Sequence, residues 1–254
     1  MTDSVLFNTI LSLPSLRPSP QTNEAFSQLV CFCLQAEPSD ITLKKAAIRK
    51  LRTLSSKAES EMEAYWAKQI ISSREPNKTM LTFWYYQNYV ELVNLEHSYF
   101  SKLLKDKKRV LFLGGGPLPL TAILLAQQYG LTCTVIENNK RSYSLACKVI
   151  ASLGLKSMIS IVYEDARTFT AYDSFDLVYI AALVGMTESS KHEIILSVHQ
   201  KLNPGALLMC RSAQGAKTLL YPPVPNKTIT ALSPVFHINP TSSIINSFII
   251  LQKT

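Results

Sequence analysis

The sequence predicts an α/β protein that begins with an all-helical domain, and three observations support this fold class. A short apolar run, VLFL at residues 110–113, stops at three consecutive glycines, as a buried parallel strand does at a tight turn. Beyond these glycines, strand-like and helix-like segments alternate, which is typical of a doubly wound sheet. The region before them contains no glycine and is helical in pattern. We therefore predict a helical bundle over residues 1–105 and an α/β domain over residues 106–254.

The helical half divides at its prolines into amphipathic stretches. A first helix ends in the proline-containing stretch at residues 14–20, and a second apolar stripe follows. Asp40 is placed to cap a third helix, whose apolar pattern continues to about residue 73. Pro76 interrupts the pattern, and residues 81–104 are predicted to form a last helical segment that is dense in aromatic side chains.

The α/β half alternates six strands with helices, and Gly130 is placed to end the first of these helices. The order of the strands, with short turns between them, favours a sheet covered on both faces. The predicted strands are residues 110–113, 132–136, 159–163, 175–180, 206–210 and 243–251, and the helices are 121–129, 140–153 and 189–202.

Composition excludes several classes of protein. The chain of 254 residues is 47% hydrophobic and 17% charged, which is globular, and it contains no apolar run long enough to span a bilayer. Its start has an acid at Asp3 and no basic region, which argues against a signal peptide. The five cysteines are odd in number and scattered, so we predict reduced, mostly buried thiols in a cytoplasmic protein. The four histidines form no cluster, and we predict that no metal is required.

The net charge of +8 raises the question of nucleic acid as a partner. The basic residues concentrate at 44–57, on a predicted helix, and at 102–109, near the predicted domain joint. We interpret them first as a solvated face, then as an attraction for carboxylate-bearing small molecules. The chain lacks a motif with interleaved aromatics of the kind that RNA-binding modules use, so we predict small-molecule partners and neither nucleic acid nor membrane.

Glycines and acids stand at the ends of three successive predicted strands. Gly114 and Gly116 follow the first strand, Glu137 ends the second and Asp165 follows the third. In doubly wound folds ligands bind beyond these strand ends, and this set suits an adenosine whose ribose Glu137 would hold and whose adenine Asp165 would contact. A nicotinamide dinucleotide fits the spacing as well, but Pro119 replaces the last glycine of its fingerprint. The acid after strand three and the following FDLVYI better match S-adenosylmethionine-binding methyltransferase folds.

Several blocks of the chain resemble the nicotianamine synthases and their bacterial and archaeal relatives. In the α/β half these are GGGPLPLT, FDLVYIAALVGM, NPGALLMCRSAQG and IINSFII, and in the helical half SLRPSPQTNEAFSQLV, AESEMEAYW and FWYYQNYVELVNLE. The resemblance spans nearly the whole chain and implies a Rossmann-like S-adenosylmethionine-dependent methyltransferase fold with an N-terminal all-helical domain. The departures are Gly115 in place of a serine, Asn139 in place of an acid, Gln214 in place of the plant histidine, and Trp84 in place of a proline.

The resemblance implies transfer of the 3-amino-3-carboxypropyl (aminobutyrate) group of S-adenosylmethionine to an amine nitrogen, with release of 5'-methylthioadenosine. It places Glu63 near the reacting amine, as the group that takes its proton, and Tyr89 opposite, as the group that positions the amine. Without the resemblance, we would interpret Glu59, Glu61 and Glu63 as one solvent-exposed face of a helix. We predict donor binding and substrate binding by ten further residues. The donor-binding residues are Gly114, Gly116, Pro117, Glu137, Asn138, Asp165, Ala166 and Ala181, and the substrate-binding residues are Tyr85 and Arg211.

Two versions of this activity compete. In one, successive aminobutyrate units are joined into a nicotianamine-like metal chelator, and the preserved N-terminal blocks slightly favour it. In the other, one unit is transferred to histidine or another amino acid, as in opine-type metallophore synthesis. An RNA-directed methyl or aminocarboxypropyl transferase and a non-catalytic ligand-binding protein are further alternatives. The exposed aromatics predicted for the helical half would suit a homodimer.

Overall fold

A computed structural model describes residues 2–104, 108–240 and 243–254. The predicted boundary between residues 105 and 106 lies outside the described residues, so the division into two domains stays a prediction. Among the described residues, no helix is long and apolar enough to cross a membrane. The five cysteines are free thiols and three of them are buried, which confirms the expectation for most of these side chains.

The N-terminal half is helical, as predicted, although two details differ. Asp40 does not cap the third helix, because it lies in the short 3-10 turn Pro38–Asp40 and accepts a hydrogen bond from the Glu37 N–H. The approach to that helix is instead held by the buried Asp3, whose carboxylate accepts from the N–H groups of Thr42 and Leu43 at 2.6 and 2.8 Å. The helices are α1 (Asp3–Leu11), α2 (Pro20–Gln35), α3 (Lys45–Ser72), α4 (Pro76–Leu81) and α5 (Tyr86–Leu104).

The aromatic segment predicted as one helix over residues 81–104 is broken after Leu81. The chain turns there, with Phe83 buried and Trp84 exposed, and helix α5 starts at Tyr86. Rings at 83–85 pack on one another and on Trp66 of α3, at centroid distances of 5.1 to 6.4 Å. Aromatic packing of this size outweighs the local helical preference.

The second half is a seven-stranded sheet in the order β3-β2-β1-β4-β5-β7-β6. Strands β1 to β5 pair in parallel, and β7 pairs antiparallel with both β5 and β6. The strands are β1 (Arg109–Leu113), β2 (Thr132–Glu137), β3 (Ile159–Tyr163), β4 (Leu177–Ile180), β5 (Leu207–Ser212), β6 (Phe236–Ile238) and β7 (Ser247–Gln252). The helices between them are α6 (Leu120–Tyr129), α7 (Lys140–Ser152), α8 (Glu188–Lys201) and α9 (Asn226–Leu232).

This arrangement confirms the predicted doubly wound sheet, with small differences at its C-terminal edge. The three-residue β6 and the helix α9 were not predicted, because short and half-buried segments carry little periodic signal. The last strand starts at Ser247 rather than at residue 243. The strand order reverses between β1 and β4, and in such sheets ligands bind beyond the carboxyl ends of the strands at that point.

Alternation along the strands divides the core between the two faces of the sheet. Val110 and Phe112 of β1 face a core that also contains side chains from α3, α5 and α6, whereas Leu111 and Leu113 face α8. Helices α3 and α5 therefore pack into the main core. They form one wall of any site at the strand ends.

A buried ion pair ties the helical half to the sheet. Arg211 of β5 donates from Nε and Nη2 to the two carboxylate oxygens of Glu96 in α5, at 2.7 and 2.9 Å. Glu96 is fully buried and Arg211 is 5% exposed. The guanidinium also lies over the rings of Phe112 and Tyr179, at 5.7 and 5.9 Å from their centroids. Strand β5 runs through Ser212, beyond its predicted end at residue 210, so Arg211 lies within the strand.

We expect Glu96→Gln to lower the free energy of unfolding by about 3–5 kcal/mol, because it leaves the Arg211 guanidinium buried without a countercharge. The double variant Glu96→Met/Arg211→Met should recover most of that loss, since it removes both charges. Urea unfolding of the purified protein measures both values. As a control, Arg109→Met breaks the exposed Arg109–Asp176 pair and should cost less than about 1 kcal/mol. Equal losses for Glu96→Gln and Arg109→Met would contradict this view of the buried pair.

Candidate active site

A cavity of about 470 Å³ lies at the carboxyl ends of the parallel strands, between the sheet and helices α3 and α5. It contains every residue that the sequence predicted for the site. These residues are Glu63, Tyr85, Tyr89, Gly114, Gly116, Pro117, Glu137, Asn138, Asp165, Ala166, Ala181 and Arg211. Their common location agrees with the predicted site, and the individual roles stay predictions.

The backbone of the glycine turn after β1 lies close to Glu63 of α3 on one side and to Val135 of β2 on the other. Gly114 and Gly116 have φ values of 82° and 64°, in the left-handed region that favours glycine. A Cβ on Gly116 would lie 2.6 Å from Oε2 of Glu63, and a Cβ on Gly115 would lie 2.2 Å from Cγ1 of Val135. The departure from serine at position 115 therefore has a physical reason in this chain, because Val135 occupies the space that a side chain needs.

Glu137, at the end of β2, is held by the turn it faces. Its Oε2 accepts from the Gly116 N–H at 2.8 Å and its Oε1 accepts from the Asn139 N–H at 2.7 Å. A carboxylate oxygen has a further lone pair, so each can still accept a hydroxyl proton from a ligand. The side chain of Asn139 accepts from the Ser142 N–H and caps α7, a role that an acid would also fill.

Asp165 follows β3 and is already strongly bound by neighbouring side chains. Arg167 donates to its two oxygens at 2.9 and 2.8 Å, and Asn138 donates from Nδ2 at 3.2 Å. The hydrogen bonds from Arg167 hold the pKa of Asp165 well below its usual range, so the carboxylate is ionised. Any contact from Asp165 to an adenine amino group shares the oxygens with Arg167.

The loop after β4 closes the next side of the cavity. The Ala181 N–H donates to the Leu113 carbonyl at 3.2 Å, which extends the β1–β4 pairing to the cavity edge. The carbonyl of Ala182 accepts from the fully buried ammonium of Lys191 at 2.8 Å. A Cβ on Gly185 would lie 2.5 Å from the Cα of Lys191, so only glycine lets the loop approach α8 this closely. The loop is therefore held in place by its contacts with Lys191 of α8.

Glu63 of α3 and Tyr89 of α5 meet in the cavity, with the Glu63 carboxylate close to Gly116 of the glycine turn. The Tyr89 hydroxyl donates to Oε1 of Glu63 at 3.1 Å. Burial raises the pKa of Glu63 well above its ordinary value, and the charges of Glu59 and then Glu137 raise it further. Burial also raises the pKa of Tyr89, which keeps its phenol protonated as a donor. The pair therefore combines a carboxylate of raised basicity with a neutral donor.

A second carboxylate in the cavity, Glu59, was not expected there. Its Oε2 accepts from the Tyr221 hydroxyl at 3.0 Å, and burial raises its pKa to about 7. Glu59 precedes Glu63 by four residues and so shares its helix face, whereas Glu61 points away and pairs with Arg141 at 2.7 Å. The solvated-face interpretation is right for Glu61 alone. The spacing of four was the signal that could have identified Glu59.

The predicted substrate-binding residues border the same end of the cavity. Tyr85 packs edge-on against Tyr89, with ring centroids 5.9 Å apart. Arg211 lines the cavity, but its Nε and Nη2 already bind Glu96, so a substrate carboxylate would meet a guanidinium whose charge is already neutralised. Asn246, which sequence reasoning missed, also lines the cavity and is 9% exposed. Its Nδ2 has no hydrogen-bond partner among the described residues.

The charges around the cavity favour cationic ligands. Glu59, Glu63 and Glu137 face it, while the guanidinium of Arg211 is neutralised by Glu96. Within the described ranges, no group of three or more histidine, cysteine, aspartate or glutamate side chains is placed to hold a metal ion. The site can bind a cation, accept a proton and hold an adenosine at the strand ends.

We expect Gly116→Ala to weaken S-adenosylmethionine binding at least tenfold, because the added methyl group projects into the space between the glycine turn and the Glu63 carboxylate and keeps the backbone from approaching the donor. Gly130→Ala is the matched control, since Gly130 has the same φ of 64° and no atom of the described residues lies within 4 Å of an added Cβ. Both variants should lose about 1 kcal/mol of stability from the left-handed backbone. Calorimetric titration measures the affinity, and equal affinities in the two variants would disprove the close approach.

We expect the ligand-free protein to become more stable as the pH falls from 8 to 6. The pKa of Glu59 is about 7 in the folded state against an ordinary 4.5, so the folded state binds a proton that the unfolded chain releases. This stabilisation is present at low pH and is lost as the pH rises through 7, by on the order of 1 kcal/mol. Urea unfolding across this range measures the slope.

Glu59→Gln should flatten that slope, because glutamine does not titrate. Glu61→Gln is the control, since the hydrogen bond from Arg141 lowers the pKa of Glu61 and its effect is confined to acidic pH. A slope that is the same in wild type and Glu59→Gln would show that Glu59 titrates normally.

Comparison with known structures supports the fold described above. The chain superposes on a crystal structure of MtNAS in complex with MTA and tNA with a TM-score of 0.84, at 24% identity, covering 99% of this chain and 95% of that one. The glycopeptide N-methyltransferase MtfA, complexed with S-adenosylmethionine, gives a TM-score of 0.52 at 13% identity, covering 64% of this chain and 94% of that one. These likenesses confirm the predicted Rossmann-like methyltransferase fold.

Sequence comparison extends over nearly the whole chain. The sequence model of the family "Nicotianamine synthase protein" matches residues 4–254. A nicotianamine synthase from Solanum lycopersicum is 31% identical over 258 aligned residues, which cover 98% of this chain and 81% of the relative. On this evidence the chain belongs to the nicotianamine synthase family.

Proposed function

We propose that this protein is a nicotianamine synthase-like transferase. It moves the aminobutyrate group of S-adenosylmethionine to an amine nitrogen, releases 5'-methylthioadenosine, and builds a nicotianamine-like metal chelator. Membership of the nicotianamine synthase family supports this reaction class. The observation that carries the proposal is the Glu63–Tyr89 pair, whose carboxylate lies close to the glycine turn inside the cavity.

The α/β wall suits the donor. Gly114 and Gly116 let the backbone approach a ligand, and Glu137 keeps free lone pairs for the two ribose hydroxyls. Asn138 follows β2 and donates to Asp165, which follows β3, and the adenine would contact this pair. The donor supplies a sulfonium whose γ-carbon is open to attack. The acidic cavity stabilises that positive charge.

Each transfer is a single displacement. The lone pair of the acceptor nitrogen forms the new N–C bond to the γ-carbon, and the C–S bond breaks. The sulfur keeps that electron pair and leaves as the neutral thioether of 5'-methylthioadenosine. The nitrogen must lose one proton, which passes to the Glu63 carboxylate. The N–C bond therefore forms next to Glu63, the side chain that takes the proton.

Glu63 is suited to this proton transfer by its surroundings. A base works best when its pKa is near the working pH, and burial together with Glu59 and Glu137 raises the pKa of Glu63 in that direction. Tyr89 stays protonated, so its hydroxyl orients the carboxylate that receives the proton. The nitrogen is thereby placed in line with one of the three carbons on sulfur, and that alignment selects the γ-carbon over the methyl.

We expect Glu63→Gln to reduce release of 5'-methylthioadenosine at least a hundredfold, because glutamine is isosteric but cannot accept the proton. Binding of S-adenosylmethionine, measured by calorimetry, should stay within about threefold of wild type. Glu61→Gln, on the outer face of the same helix, is the control and should keep full turnover. Wild-type turnover in Glu63→Gln would remove Glu63 from the mechanism.

Incubating the protein with S-adenosylmethionine, with and without histidine, identifies the acceptor. With S-adenosylmethionine alone, a multi-unit product detected by mass spectrometry supports the chelator synthesis. A product that forms only after histidine is added would assign the protein to single-unit transfer instead. Small molecules are the partners that this site accommodates, whereas the predicted homodimer, the cytoplasmic location and the absence of nucleic-acid and membrane partners stay predictions.

A further inference from the structure

Helix α3 presents two carboxylate–tyrosine pairs to the cavity, and the proposed reaction uses only one of them. Glu63 is bound by Tyr89 at 3.1 Å, and Glu59 is bound by Tyr221 at 3.0 Å. The two glutamates are four residues apart, so their Cβ atoms lie about 5–6 Å from each other on one face of the helix. The second pair repeats the chemistry of the first, one helical turn away.

The surroundings of Glu59 set it apart from a structural carboxylate. It accepts from one tyrosine hydroxyl and makes no ion pair with any residue that the structure describes, although it lies near the guanidinium that Glu96 already binds. Glu63 and Glu59 repel each other, and that repulsion raises the pKa of Glu63. A bound cation at each carboxylate would remove the repulsion, so this arrangement suits a ligand with two ammonium groups.

Two further features extend the site around Glu59. A small side pocket of about 80 Å³ opens where Glu59, Tyr85 and Tyr221 meet, and it is lined mainly by apolar side chains of α2, α3 and the 220–221 segment. Asn246 lines the main cavity, and its buried Nδ2, which no described residue binds, is an amide donor suited to a carboxylate. An α-amino acid chain needs both an acceptor for its ammonium and a donor for its carboxylate.

The spacing of the two glutamates matches one class of ligand. Joined aminobutyrate units carry successive nitrogens separated by three carbons, and four single bonds span about 5 Å when extended. That length is close to the separation of the two glutamates along the helix. One nitrogen can therefore lie at each carboxylate at the same time.

We infer that Glu59 and Tyr221 form a second amine-binding station, which holds the nitrogen next to the reacting one in an aminobutyrate chain, while Asn246 donates to a carboxylate of that chain. This inference rests on the proposed function and deepens it, because it makes a chain of at least two units the preferred acceptor. The first station, formed by Glu63 and Tyr89, takes the proton. The second station holds the chain in position for the next transfer.

The test compares products formed from S-adenosylmethionine alone by wild type, Glu59→Gln and Tyr221→Phe. Mass spectrometry gives the number of units per product, and released 5'-methylthioadenosine gives the total number of transfers. In Glu59→Gln the ratio of multi-unit to single-unit product should fall at least tenfold, because a charge-assisted hydrogen bond to the chain is lost. Glu59→Asp should restore part of the ratio, and Glu61→Gln should leave it unchanged.

Each other result has a defined meaning. A wild-type ratio in Glu59→Gln overturns the second station, and so does the loss of all transfers with S-adenosylmethionine binding intact, which would assign Glu59 to the chemical step. If Glu59→Gln does not fold, Tyr221→Phe carries the same criteria with a smaller expected decrease. A wild-type protein that transfers only a single unit overturns the second station and the joining of successive units, but leaves aminobutyrate transfer itself in place. A wild-type protein that releases no 5'-methylthioadenosine refutes the proposed function as well.

Discussion

The ion pair between Arg211 and Glu96 is the interaction on which the site geometry depends. It joins α5 to β5 with two hydrogen bonds in a place that water does not reach. Leaving either charge unpaired there would greatly lower the stability of the fold, so the pair fixes the position of α5 along the sheet. Tyr89 precedes Glu96 by seven residues, two turns back on the same face of α5. The pair that fixes Glu96 therefore also fixes the tyrosine that contacts Glu63.

The two walls of the cavity have different physical characters. The sheet wall is built from backbone, with a glycine turn and a carboxylate held by N–H groups, and this part of the fold is shared with a methyltransferase. The helical wall is built from side chains, and it brings Glu59 and Glu63 into an apolar setting that raises both pKa values. In the proposed reaction the first wall holds the donor and the second decides which carbon and which nitrogen react. A shared fold therefore leaves the chemistry to the added helices.

Most of the fold could be predicted because its signals are local. The strand at residues 110–113, the glycine turn and the helix end at Gly130 depend on neighbouring residues, and all three are present in the structure. The errors occurred where a distant residue decided the outcome. Asp40 did not cap α3 because the carboxylate of Asp3, far back in the sequence, satisfies the N–H groups before that helix. The helix predicted over residues 81–104 was broken by aromatic packing onto Trp66.

For the site, the sequence by itself determined the residues that line the cavity, because strand ends converge in a parallel sheet and the family motifs mark the facing helices. It could not determine how those residues pair. Only the tertiary structure turned Glu59 inward with Tyr221, bound Arg211 to Glu96, and left the Asn246 Nδ2 without a partner in the part of the chain that the structure describes. These outcomes depend on contacts between segments more than a hundred residues apart, and no pattern of neighbouring residues records which side chains will meet.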